Sequence, residues 1–125
     1  MNQNKIMKNV FYLEVSDINK NGSLKSYVGN GDPVIIMAQA NFCHFCTEAK
    51  PAFQQLSKEH CKAVPCTILI DGEQSEKAAS KFLQMWDNNH RGVPAYFGFD
   101  KNGKFKKVHS GGRDVNSLLE FANSL

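Results

Sequence analysis

The stretch NFCHFCTEAKP, residues 41–51, decides how this chain is read. Ahead of it runs VIIMAQA (residues 34–40), a short unbroken apolar segment of the kind that forms a strand buried on both faces. Behind it, residues 43–60 change to a helical pattern, with Phe53 and Leu56 on one side and Gln54, Lys58 and Glu59 on the exposed side. Cys43 and Cys46 therefore stand at a strand-to-helix junction, about one turn apart, with Pro51 further along the same helix. A cysteine pair so placed can exchange electrons, hold a metal or simply pack.

Working outward, residues 8–15 (KNVFYLEV) alternate well enough for a strand, and residues 17–28 suit a short helix or an irregular segment. GNGDP (residues 29–33) is a loop. AVPCTILI (residues 63–70) reads as a second buried strand closed by Asp71–Gly72. Residues 75–88 read as an amphipathic helix with Ala78, Ala79, Phe82, Leu83 and Trp86 inward and Ser75 as its N-cap. VPAYFGFD (residues 93–100) and FKKVHS (residues 105–110) form a hairpin through DKNG. After Gly111–Gly112, Asp114 caps a last helix with Val115, Leu118, Leu119 and Phe121 or Ala122 inward. Alternating strands and helices followed by a hairpin imply an α/β fold, a central mixed β-sheet flanked by helices on both faces. One domain over residues 8–125 is expected, after a flexible start over residues 1–7.

The bulk composition narrows the function classes. A chain of 125 residues, 42% hydrophobic and 22% charged, is the size and profile of one soluble globular domain. The net charge is only +3, and its densest basic stretch, KNGKFKK (residues 101–107), reads as a solvated turn and strand rather than a nucleic-acid surface. Residues 1–9 have no signal-like apolar core, and no apolar run approaches the roughly 20 residues that span a bilayer. A cytoplasmic monomer without membrane contact is the expectation. Four cysteines are too few for a disulfide-stapled scaffold, so the CxxC points to redox chemistry or metal. The attacking species in disulfide exchange is a thiolate, and the unpaired N–H groups and dipole of a helix N-terminus, where Cys43 stands, favour one.

From about Lys8 to Leu125 the chain resembles the thioredoxins. The resemblance rests on Cys43-His44-Phe45-Cys46 at the junction, Pro51 eight residues after the first cysteine, Arg91-Gly92-Val93-Pro94, and the closing hairpin, glycine pair and helix. It implies the thioredoxin fold and a thiol–disulfide oxidoreductase acting on protein disulfides, with a protein-disulfide reductase activity and no cofactor. Cys43 is implied as nucleophile and Cys46 as resolving thiol. The resemblance also implies a cis Pro94 that exposes the Val93 backbone to an extended substrate, and a dithiol reductase or glutathione as electron donor. Phe42, where the family has tryptophan, and Phe45 are candidates for an apolar rim, or they pack at the helix start. His44 is a candidate for stabilising the Cys43 thiolate, or it is simply exposed. Met37 and Thr67 stand where thioredoxins place a buried aspartate and its lysine partner. Cys46 is then expected to lose its proton through water, His44 or Glu48.

Two other readings stay open. Cys61 and Cys66, with His44 and His60, raise a zinc site, although the C-x4-C spacing is loose for a structural knuckle. A non-catalytic partner- or zinc-binding module and a glutaredoxin-like glutathione-dependent reductase are the alternatives in function.

Overall fold

The computed structural model describes residues 6–59 and 61–125. In chain order its regular elements are β1 (Phe11–Tyr12), α1 (Ser26–Gly29), β2 (Val34–Gln39), α2 (His44–Gln55), β3 (Val64–Leu69), α3 (Gln74–Ala78), α4 (Phe82–Trp86), β4 (Ala95–Phe99), β5 (Phe105–His109) and α5 (Val115–Asn123). The strands form one mixed sheet in the order β1-β3-β2-β4-β5. β1 and β2 run parallel to β3, and β4 runs antiparallel to both β2 and β5.

Every residue of β2 is buried, as an apolar run at the sheet centre requires. Alternation along it feeds two cores. Val34, Ile36 and Ala38 pack with Phe82, Leu83, Trp86, Phe97 and Phe99 on one face. Ile35 and Met37 pack with Ala49, Phe53 and Leu56 of α2 and its extension, and with Leu118, Phe121 and Ala122 of α5, on the other. Helices thus cover both faces, and the fold class expected from the sequence is the one found.

Several boundaries differ, for identifiable reasons. The first strand was expected over residues 8–15 but pairs only at Phe11–Tyr12. Asn9 adopts a left-handed conformation (φ 61°) just before it, and a 3-10 turn at Val15–Asp17 follows it. On β3, the Val64 N–H bonds to Pro33 and the Thr67 carbonyl to Leu13. By alternation Pro65 turns its nitrogen towards β1 and has no N–H to extend that ladder. The helix expected over residues 75–88 is two short helices joined by a 3-10 step at Ala79–Lys81. Its N-cap is Glu73 rather than Ser75, with the Glu73 N–H donated to the Glu76 carboxylate at 2.8 Å. Of the start expected to be flexible, residues 1–5 lie outside the described residues. Met7 is buried and donates its N–H to the Tyr12 hydroxyl at 3.0 Å. His60, expected as the end of the CxxC helix, also lies outside the described residues.

The hairpin turn closes through Asp100, whose carboxylate accepts the N–H groups of Asn102 and Lys104. Gly103 has φ +81° and accepts the Leu24 N–H at 2.8 Å, which ties the turn to the segment before α1. A Cβ there would lie 2.7 Å from the Leu24 carbonyl oxygen. Gly103→Ala is expected to cost about 1–3 kcal/mol from left-handed strain alone, read as a lower urea midpoint. An unchanged midpoint would contradict the tight approach.

Candidate active site

The chain leaves β2 at Gln39 and turns through Ala40–Phe42 before α2 begins. Asp71, at the end of β3, fixes this turn: its carboxylate accepts the Asn41 N–H at 2.8 and 3.0 Å and the Phe42 N–H at 3.2 Å. Cys43 is the N-cap of α2. Its backbone is extended (φ −92°, ψ 113°) and its Sγ accepts the Cys46 N–H at 3.1 Å, the bond a serine or aspartate cap oxygen ordinarily makes. The Cys43 thiol also reaches the Val93 carbonyl, 3.6 Å away. The Val93–Pro94 peptide is cis. Four of the residues singled out in the sequence, Cys43, Cys46, Val93 and Pro94, therefore meet at one point although 50 residues separate the two pairs.

The two cysteines differ sharply in access. Cys43 is half-buried, whereas Cys46 is wholly buried. Burial pushes the Cys46 thiol up to about 12; the hydrogen bond its thiol donates to Cys43 and that neighbour's charge add to the rise, while the Ala40 backbone and the Lys50 charge oppose it. Pro51 occupies the exposed side of α2, and without an N–H it leaves the Thr47 carbonyl, on the same exposed side, without its helical partner.

The aromatic neighbours stand in solvent. Phe42 is 75% and Phe45 61% exposed, so neither packs into the core at the helix start. The Arg113 guanidinium lies over the Phe45 ring, 5.8 Å from its centroid. His44 pairs with Glu48 (Nε2 to Oε2 3.2 Å), both side chains largely exposed. Both side chains thus face water, whereas Cys46 is wholly buried.

Beneath the helix, Met37 and Thr67 are register partners on adjacent strands and both are fully buried. The Thr67 hydroxyl is committed to the Met37 carbonyl at 2.7 Å. Tyr96, antiparallel partner of Met37, was not singled out in the sequence. Its phenol is buried without a hydrogen-bond partner and is pushed up to about 12 by burial; the Arg113 charge opposes the rise and the Cys46 charge adds to it. Its position two residues after Pro94 is the signal that strand alternation offered. Gln39, also fully buried, leaves both ends of its amide unpartnered.

The remaining cysteines lie on opposite faces of the sheet. Cys66 sits in the core with Phe97 and Trp86, its thiol raised by burial, and Cys61 packs against the α2–α5 core. Among the described residues no group of three or more His, Cys, Asp or Glu is arranged to hold a metal ion. His60, a member of the zinc alternative, lies outside them. No described helix is long and apolar enough to cross a membrane.

A mixed sheet between two helical layers, with a CxxC at the start of a helix and a cis-proline loop against its first sulfur, is the thioredoxin fold. The chain is 29% identical over 127 residues to the putative thioredoxin-like protein 453L of Invertebrate iridescent virus 6, covering 91% of this chain and 92% of that protein. Thioredoxin f from spinach chloroplast superposes with a TM-score of 0.66 at 18% identity, covering 98% of this chain and 97% of that one. Human ERp44 in its zinc-bound form gives 0.66 at 18% identity; this chain is 94% covered but spans only 30% of ERp44. No protein-family model matches the chain.

The raised thiols fix a sign for pH. A thiol whose folded value lies above its unfolded value of about 8.5 stabilises the fold fully below that value and loses this stabilisation as pH climbs towards the folded one. Cys46, Cys61, Cys66 and Tyr96 are all raised. The urea midpoint of the reduced protein is expected to fall steadily from pH 8.5 to 11, less steeply in Cys46→Ser. A flat profile, or an identical slope in the variant, would contradict the buried placement of Cys46.

Proposed function

We propose that this protein is a thiol–disulfide oxidoreductase that exchanges its Cys43–Cys46 dithiol with disulfides of protein substrates. The observation that carries the reading is the setting of one sulfur. Cys43 Sγ lies between the Cys46 N–H (3.1 Å) and the Val93 carbonyl (3.6 Å), at the mouth of the site, with Cys46 buried behind it.

The steps follow from this arrangement. The Cys43 thiolate attacks one substrate sulfur, forming a Cys43–substrate disulfide; the substrate S–S bond breaks and its second sulfur leaves as a thiolate that takes up a proton. The helix N-terminus favours the attacking anion. An extended substrate segment beside Val93 is held by backbone hydrogen bonding. Burial is the larger cause of the raised Cys46 thiol, but once Cys43 Sγ belongs to a mixed disulfide it no longer adds its charge to that rise. Cys46 then loses its proton more readily and attacks Cys43 Sγ, releasing the second substrate thiol and closing the Cys43–Cys46 disulfide. The substrate gains two electrons and two protons; the protein dithiol loses them. Return electrons come from a dithiol reductase or from glutathione.

Reduction of insulin disulfides by dithiothreitol in the presence of the protein tests this reading. Wild type is expected to accelerate precipitation of the insulin B chain, and Cys43→Ser to abolish the effect. Cys46→Ser is expected to accumulate a mixed disulfide at Cys43, seen as an added substrate mass. A fully active Cys43→Ser protein, or a trapped adduct at Cys61, would remove the assignment.

A further inference from the structure

Next to Pro94 the surface holds a cleft of about 250 Å³ that the exchange steps do not use. Arg91, Arg113, His90 and His109 line it, with Asp87 as its one acidic residue. Asp87 is partly occupied, since its carboxylate accepts the Asn89 N–H at 2.9 Å. Among the described residues the one ion pair is His44–Glu48, so neither guanidinium has a carboxylate partner there. Both arginines are exposed and bear positive charge at any working pH.

The cleft is built rather than incidental. His109 Nε2 lies 2.7 Å from the Gly112 carbonyl and, facing an acceptor, donates to it. Gly111 permits this closure, because a Cβ on it would come within 2.9 Å of the His109 ring. The loop carrying Arg113 is thereby held against the end of β5. Arg113 in turn lies over Phe45, and its charge is felt at the Tyr96 phenol, a buried hydroxyl without a partner on the wall of the same cleft. The positive end of the cleft is thus continuous with the cysteine rim.

The geometry points to this cleft as a subsite for carboxylate side chains of a substrate polypeptide, seating an acidic segment that flanks the cysteine under attack. The inference rests on the reading that the substrate chain lies along Val93 and Pro94. Charge pairing at such an exposed site sets partner choice and encounter more than raw affinity, and it weakens with salt.

Two eight-residue peptides test it, identical except that the two residues after a central S-methylcysteine are Glu in one and Lys in the other. They are titrated into the full chain while the backbone amide signals of residues 90–96 and 109–113 are followed by NMR. The acidic peptide is expected to saturate these signals at about five- to tenfold lower concentration than its lysine twin at low ionic strength, with the gap closing at about 0.5 M salt. An Arg91→Gln/Arg113→Gln variant that keeps a folded spectrum is expected to lose the preference. Equal titration by the twins, or a preference that survives the double substitution, would overturn the subsite. So would tighter binding of S-methylglutathione than of the acidic peptide, which would assign the carboxylate chemistry to glutathione. Reduction of hydroxyethyl disulfide, which has no charged flank, separates the two readings. Acidic preference without turnover keeps the subsite and discards the redox role, and turnover without preference does the reverse.

Discussion

The Cys46 N–H that ends on Cys43 Sγ is the contact around which the site is organised. A helix needs its first N–H groups satisfied, and here a sulfur does what a hydroxyl or carboxylate usually does. That choice places a sulfur at the positive end of the helix dipole, and it fixes the second cysteine one turn inward. The contact holds only if the turn before it is held. The three N–H···O bonds that Asp71 accepts from Asn41 and Phe42 do this, anchoring the loop to the end of β3. On the other side, the Val93 carbonyl brings the β4 entrance against the same sulfur.

The floor under α2 carries no ionisable pair at Met37 and Thr67. Their register across β2 and β3 is the one a carboxylate and an ammonium would need, but a sulfide and a hydroxyl already bonded to the backbone fill it. The polar groups left on that side of the sheet include a phenol that resists ionisation and an unpartnered amide. Acid–base help from below is therefore weak. In the proposed exchange, Cys46 is controlled by its burial and the state of Cys43, which makes the second step depend on completion of the first.

Much of this was legible in the sequence because the signals were local. The apolar run before Cys43, the helical spacing after it, the DKNG turn and the Asp114 cap each encode their own element; Asp114 accepts the Ser117 N–H as a cap should. The junction of Cys43 and Cys46 followed from these alone, and their meeting with Val93 and Pro94 from the resemblance. What escaped depends on neighbours distant in sequence. β1 is cut short partly by Pro65, a constraint invisible until β3 is known to lie beside it. Ser75 is a good cap by type, but the cap sits two residues earlier, at Glu73, whose N–H is donated to the Glu76 carboxylate. His44 chose Glu48 one helical turn away over Cys43 beside it. Arg113 reaches Phe45 across 68 positions, a contact no periodicity announces.

The central claim, that Cys43 and Cys46 form a reversible redox pair while Cys61 and Cys66 do not take part, is tested most directly by redox equilibration. The protein is brought to equilibrium in buffers of varied reduced and oxidised glutathione, quenched, alkylated and mapped by mass spectrometry. One intramolecular disulfide, Cys43–Cys46, is expected to form and reopen along a single two-electron transition, with Cys61 and Cys66 recovered as thiols throughout. A disulfide that includes Cys61 or Cys66, or a Cys43–Cys46 pair that never closes, would contradict it.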